Sequence, residues 1–133
     1  MGAITPRVGL VGLGGIGNYH ADLVGDTDAE LVAGLDTDPS ARQNFESEYG
    51  IETYTEPAPF YDAVDAVIVT TPNAYHEEYA IGALDAGCAV LVEKPLAHTL
   101  ESAERIVDAA ESADEICMVG FHNRFDPRAE ALA

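Results

Sequence analysis

The chain has 133 residues, 47% of them hydrophobic, which suits one globular domain with a real core and argues against a disordered chain. Asp and Glu number 24 against 6 Lys and Arg, a formal charge of −18. A surface of that sign repels phosphate backbones and anionic lipid, so nucleic acid and membrane drop out as partners. The acids are spread along the whole chain. That fits a halophilic protein working in concentrated salt, where a short Debye length suppresses self-repulsion, or simply an acidic protein of ordinary surroundings.

Cys88 and Cys117 each sit beside or within an apolar run and read as buried, reduced thiols rather than a secreted disulfide framework. No run approaches the ~18 apolar residues of a membrane helix. Residues 8–17 are too rich in glycine for a signal peptide and lack a cleavage site. These features point to the cytoplasm.

In chain order, residues 7–13 alternate β-branched and small apolar side chains and predict a buried strand. Gly12, Gly14 and Gly17 follow at G-x-G-x-x-G spacing, with Gly15 and Ile16 between them. Ile16, His20, Leu23 and Val24 then recur at helical spacing. Strand, tight turn and helix in this order form a cradle that brings backbone N–H groups up to a pyrophosphate. A second apolar run, 30–35, ends on Asp36, about 20 residues further on, where an acid can accept hydrogen bonds from adenosine ribose hydroxyls. A Gly-rich packing turn is the plainer alternative.

Asp38 and Pro39 predict the cap and first residue of a helix that Gly50 ends. A short strand is expected at 51–54. Pro57 and Pro59 interrupt the pattern before a helical turn at 60–63. Residues 65–71 read as a strand buried on both faces, stopped by Pro72 and Asn73. A helix over 75–86 follows, with His76, Ala80, Ala83 and Leu84 inward. Residues 89–93 are the next buried strand, stopped by Lys94 and Pro95. Thr99 can cap a helix whose Leu100, Ala103, Ile106, Val107 and Ala110 are expected to face the core. Residues 115–121 make a sixth strand, and Asp126 and Pro127 repeat the helix-start signal. The alternation predicts an α/β fold: a three-layer, doubly wound parallel sheet of order 3-2-1-4-5-6.

Ligands in such a sheet lie outside the carboxyl ends of the strands. By topology Asp36 falls on the adenosine half, and the ends at Thr71–Asn73 and Glu93–Pro95 fall on the nicotinamide half. Lys94 is the sole lysine, the other five basic residues being arginines. An ammonium can exchange a proton with a substrate hydroxyl, which a guanidinium does not readily do. A surface lysine paired with Glu93 is the alternative. His20, His76, His98 and His122 lack ligand spacing, so a metal site is not expected.

The segments GLGGIG (12–17), TPNAYH (71–76), EKP (93–95) and GFHNRFDP (120–127) resemble the cofactor domain of the Gfo/Idh/MocA oxidoreductases, across essentially the whole chain. The resemblance implies an NAD(P)-dependent oxidoreductase acting on a CH–OH group of a sugar or polyol, with Lys94 catalytic beside the nicotinamide. It gives Thr71, Pro72, Asn73, His76 and Glu93 a cofactor-lining role, though Asn73 and His76 read equally as a turn residue and a packing histidine. His20 reads as packing, and Asn123 and Arg124 as structural or substrate-contacting. Asp36 favours NAD over NADP, with Arg42 the only nearby cation. Family members continue into a second domain that binds substrate and makes an oligomer interface. The expectation is therefore a Rossmann domain at 1–122 and, at 123–133, the start of a helix leading to a substrate domain that this sequence does not contain, with a possible homo-oligomer. The alternative is a stand-alone, non-catalytic dinucleotide-binding module acting as a sensor or subunit.

Overall fold

The computed structural model describes residues 5–94 and 96–120. Among them six strands form one parallel sheet: β1 Arg7–Val11, β2 Glu30–Leu35, β3 Glu52–Tyr54, β4 Ala66–Val69, β5 Ala89–Glu93 and β6 Cys117–Gly120. Their order is β3-β2-β1-β4-β5-β6, the order expected from the sequence. The helices are α1 Gly15–Gly25, α2 Pro39–Tyr49, α3 Pro57–Asp62, α4 His76–Asp85 and α5 Leu100–Ser112, with a 3-10 turn at Asn73–Tyr75. Among the described residues no helix is long and apolar enough to cross a membrane.

Successive strand residues point to opposite faces, so the central strands feed two cores. On one face Leu10 and Ile68 pack with Ala21 and Val24 of α1 and Phe45 of α2. On the other, Val67, Val69, Val90 and Val92 pack with Phe60 of α3, Ala80 and Ala83 of α4 and Ile106 of α5. The expected caps are present. Asp38 Oδ1 accepts from the Ser40 N–H at 3.0 Å and Thr99 Oγ1 from the Ser102 N–H at 3.0 Å. Gly50 ends α2 in the left-handed region, φ 65°.

Some local expectations are corrected. β1 stops at Val11 rather than 13, and β4 covers only 66–69, because the residues beyond them leave the sheet to build the site. Pro57 opens α3 instead of interrupting the pattern, since a first-turn residue needs no N–H donor. On α5, Leu100 and Val107 are exposed, at 72% and 45%, instead of facing the core. The buried stripe runs through Ser102 and Ile106, with Ala109, Ala110 and Ala113 against it, and small residues there let α5 approach α4 closely. Ile16 and Leu23 of α1 are likewise about half exposed, while Gly17, His20, Ala21 and Val24 face inward. Pro95 and residues 121–133, including the last residue expected for the sixth strand, His122, Asn123, Arg124 and the helix expected from Asp126, lie outside the described residues.

Candidate functional site

Three strand ends hold the glycine turn. The Gly12 N–H donates to the Leu35 carbonyl at 2.9 Å, and the Thr70 N–H to the Val11 carbonyl at 2.8 Å. The Thr70 hydroxyl lies 2.8 Å from the Gly12 carbonyl and 3.0 Å from that of Val11, and can donate to one at a time. Gly12 has φ +92°, a region L side chains rarely adopt, and a Cβ there would press on Thr70 and Thr71. A Cβ on Gly17 would collide with the Gly12 carbonyl oxygen, so the first turn of α1 rests directly on the end of β1. Around Gly14 and Gly15, by contrast, nothing lies within 4 Å of an added Cβ. Gly14 is the N-cap, and among the described residues no side-chain cap closes α1. The first-turn N–H groups, which a helix cannot satisfy internally, are thus left for an anion.

Asp36 leaves β2 with both carboxylate oxygens oriented. Oδ2 accepts from the Leu13 N–H and Oδ1 from the Asp38 N–H, each at 2.9 Å. Each oxygen keeps further lone-pair capacity for a hydroxyl donor. Arg42, the neighbouring cation, donates through Nη1 to the Asp36 backbone carbonyl at 2.8 Å.

A cleft of about 530 Å³ opens above these ends. One side is Val11, Gly12 and Gly14 with Leu35, Asp36 and Thr37; the other is Thr70, Thr71 and Pro72 with Tyr75, Glu78 and Tyr79 from the start of α4. Among the described residues the buried Thr71 hydroxyl has no hydrogen-bond partner. Tyr79 is pushed above the ordinary phenol range, first by burial and then by the nearby charges of Glu78 and Asp36. Of the sequence-predicted residues, Gly12, Gly14, Asp36, Thr71 and Pro72 share this cleft. Thr37, Thr70, Tyr75, Glu78 and Tyr79 were not anticipated. The available signal was topological: all directly follow a strand end or lie in or just before the first turn of the next helix.

Gly15, Ile16, Gly17, His76, Glu93 and Lys94 are not among the described walls of that cleft. Asn73 opens the 3-10 turn. His76 is buried, with Nε2 2.8 Å from the Thr71 carbonyl and Nδ1 3.3 Å from the Leu96 carbonyl, so it ties the segment after β4 to the segment after β5. Glu93 alternates with Val92 and points to the α1 face, where its Oε2 lies 2.9 Å from His20 Nε2 in a buried pair. Glu93 is therefore committed inward, and Lys94, the next residue, is exposed.

An uncapped helix N-terminus above a glycine turn, open space beside Gly14, an oriented acid at the end of β2 and an orphaned hydroxyl across the cleft together fit a dinucleotide. Fold and site define a dinucleotide-binding Rossmann domain. The family model described as "Oxidoreductase family, NAD-binding Rossmann fold" matches residues 6–121, and the chain belongs to this Gfo/Idh/MocA family. It is 39% identical to the inositol 2-dehydrogenase of Corynebacterium glutamicum (strain R), over 91% of this chain and 38% of that protein. With the glucose-6-phosphate 3-dehydrogenase of Bacillus subtilis (strain 168) it shares 33%, over 90% and 34%. Among solved structures, the WlbA dehydrogenase from Bordetella pertussis in complex with NADH and UDP-GlcNAcA superposes with a TM-score of 0.90 at 32% identity, covering 97% of this chain and 41% of that one. The apo scyllo-inositol dehydrogenase from Lactobacillus casei gives 0.85 at 28%, covering 92% and 38%. The chain thus spans about two fifths of the length of these relatives.

Proposed function

We propose that residues 1–122 form the cofactor domain of an NAD-dependent oxidoreductase acting on a CH–OH group of a sugar or polyol, and that residues 123–133 lead into a substrate domain. The family membership and the inositol and sugar dehydrogenases among its relatives support this reading. Gly12, Gly14, Gly15, Ile16 and Gly17 hold the pyrophosphate, Asp36 the adenosine ribose, and Thr71, Pro72 and Asn73 the path toward the nicotinamide. His76 and Glu93 position the segments that flank it. When bound, the cofactor supplies hydride chemistry. Lys94 handles the proton of the substrate hydroxyl. Its exposed place one residue beyond the inward-turned Glu93 is the observation that carries the assignment. The free thiols of Cys88 and Cys117 suit a reducing cytoplasm, and the charge of −18 suits concentrated salt.

In a protein carrying both domains, Lys94→Ala is expected to lower turnover with inositols and related sugars by about 10²- to 10⁴-fold, the range of a general acid–base group, while NADH affinity stays within about twofold. Normal turnover would remove Lys94 from the mechanism. A second reading, a binding module without catalysis, draws on the fact that residues 11–79 supply every described wall of the cleft. Absence of turnover with any polyol, alongside intact NADH binding, would favour it.

A further inference from the structure

Two carboxylates from different elements face the same cleft. Asp36 comes from the end of β2, and Glu78 from the first turn of α4, which with the residue before it also brings Tyr75 and Tyr79 to the cleft. Its neighbour Glu77 is turned elsewhere, to Arg105 of α5 at 2.7 Å. No cation stands among the described residues lining the cleft, and Arg42 is engaged with the Asp36 carbonyl. Tyr79 lines the same cleft, and its phenol feels the charges of both Glu78 and Asp36.

A ribose 2′-hydroxyl can donate to a carboxylate, whereas a 2′-phosphate brings about two negative charges and no matching donor at neutral pH. We propose that Glu78 is a second specificity-determining residue, which with Asp36 excludes 2′-phosphorylated dinucleotides from this cleft. Asp36 supplies the acidic wall on the glycine-turn side, and Glu78 closes the opposite side, from which an arginine or lysine would otherwise reach the phosphate. The inference rests on the reading of the cleft as the adenosine site.

The test is titration of the purified chain with NADH and NADPH at low salt, comparing Glu78→Gln with Glu77→Gln, which removes the adjacent charge that points away. Glu78→Gln is expected to tighten NADPH binding by about 3- to 10-fold, the effect of removing one charge several ångströms from a dianion in a largely aqueous cleft. NADH affinity should rise by less than NADPH affinity, because NADH lacks the 2′-phosphate charge, so the NADPH-to-NADH ratio is the readout. Glu77→Gln should leave the NADPH-to-NADH ratio unchanged, and about 0.5 M KCl should shrink the Glu78→Gln effect by screening. An unchanged ratio in Glu78→Gln, or an equal gain in Glu77→Gln, overturns the role of Glu78. Failure of the wild-type chain to bind NADH overturns the adenosine-site reading itself.

Discussion

Gly14 and Gly17 lie three residues apart, and a methyl group added to each meets opposite surroundings. At Gly17 it runs into the Gly12 carbonyl oxygen, backbone against backbone, so neither partner can move aside without separating α1 from β1. Gly17→Ala is expected to cost about 1–3 kcal/mol or more by overpacking and to abolish NADH binding. At Gly14 the methyl meets nothing within 4 Å among the described residues beyond its chain neighbours, yet Gly14 lines the cleft. Gly14→Ala should leave the urea midpoint nearly unchanged and weaken NADH binding alone. Equal loss of stability in the two variants would contradict this division of labour. The glycine spacing and Asp36 were legible in the sequence because their roles are local: a turn geometry and a strand end. Thr70 was not, because its hydroxyl reaches the Gly12 carbonyl only through the pairing of β4 against β1, and no periodicity marks such a contact. By helical spacing Glu78 falls on the side of α4 opposite the buried His76, Ala80 and Ala83. It is exposed, but toward the cleft rather than bulk solvent alone, a distinction a helical wheel does not contain.

Elements meet through buried hydroxyls as well as through apolar faces. Tyr61 of α3 is buried in the core, and its hydroxyl donates to the Tyr79 carbonyl of α4 at 3.2 Å. Burial holds its pKa well above the ordinary phenol value, with the charges around Tyr79 and Glu78 adding to the effect. A folded-state pKa above the unfolded value of about 10 means that the contribution is fully present below pH 10 and is lost as pH rises toward the folded pKa. Tyr61→Phe removes one hydrogen bond, so at pH 7 it should cost about 0.5–1.5 kcal/mol. Because the phenylalanine chain has no proton to lose there, the gap between the two denaturation curves should close as pH climbs above 10. A gap that widened with pH would mean that the Tyr61 hydroxyl ionises more readily in the folded state. At this scale the sequence was informative wherever a cap or a period decides the element, as with Asp38, Gly50 and Thr99. It misled where two stripes compete. On α5 the small-residue stripe through Ser102 and Ile106 wins the interior over the larger Leu100 and Val107, because the close packing of α4 against α5 selects for fit and not for hydrophobicity alone.

The whole molecule carries −18, and its described arginines are already engaged: Arg7 with Asp65 at 3.2 Å, Arg105 with Glu77, and Arg42 with a backbone carbonyl. NADH is itself an anion. With Lys94 outside the described walls of the cleft, attraction to the site rests on short-range sources, the first-turn N–H groups of α1 and the hydrogen bonds of the cleft, against a long-range repulsion from the surface. Salt separates the two, since the Debye length falls from about 10 Å at 0.1 M to about 3 Å at 1 M while contact hydrogen bonds are little screened. Phosphate-binding proteins with basic surfaces lose affinity as salt rises. Here the sign should reverse: calorimetry from about 20 mM to 0.5 M KCl is expected to show NADH binding more tightly, by several-fold. The same screening should raise the urea midpoint of the free chain, because self-repulsion opposes the compact state. Affinity that weakened with KCl would mean that an attractive positive field outweighs the surface charge at the cleft, and the pyrophosphate would then owe its binding to cations rather than to the helix N-terminus.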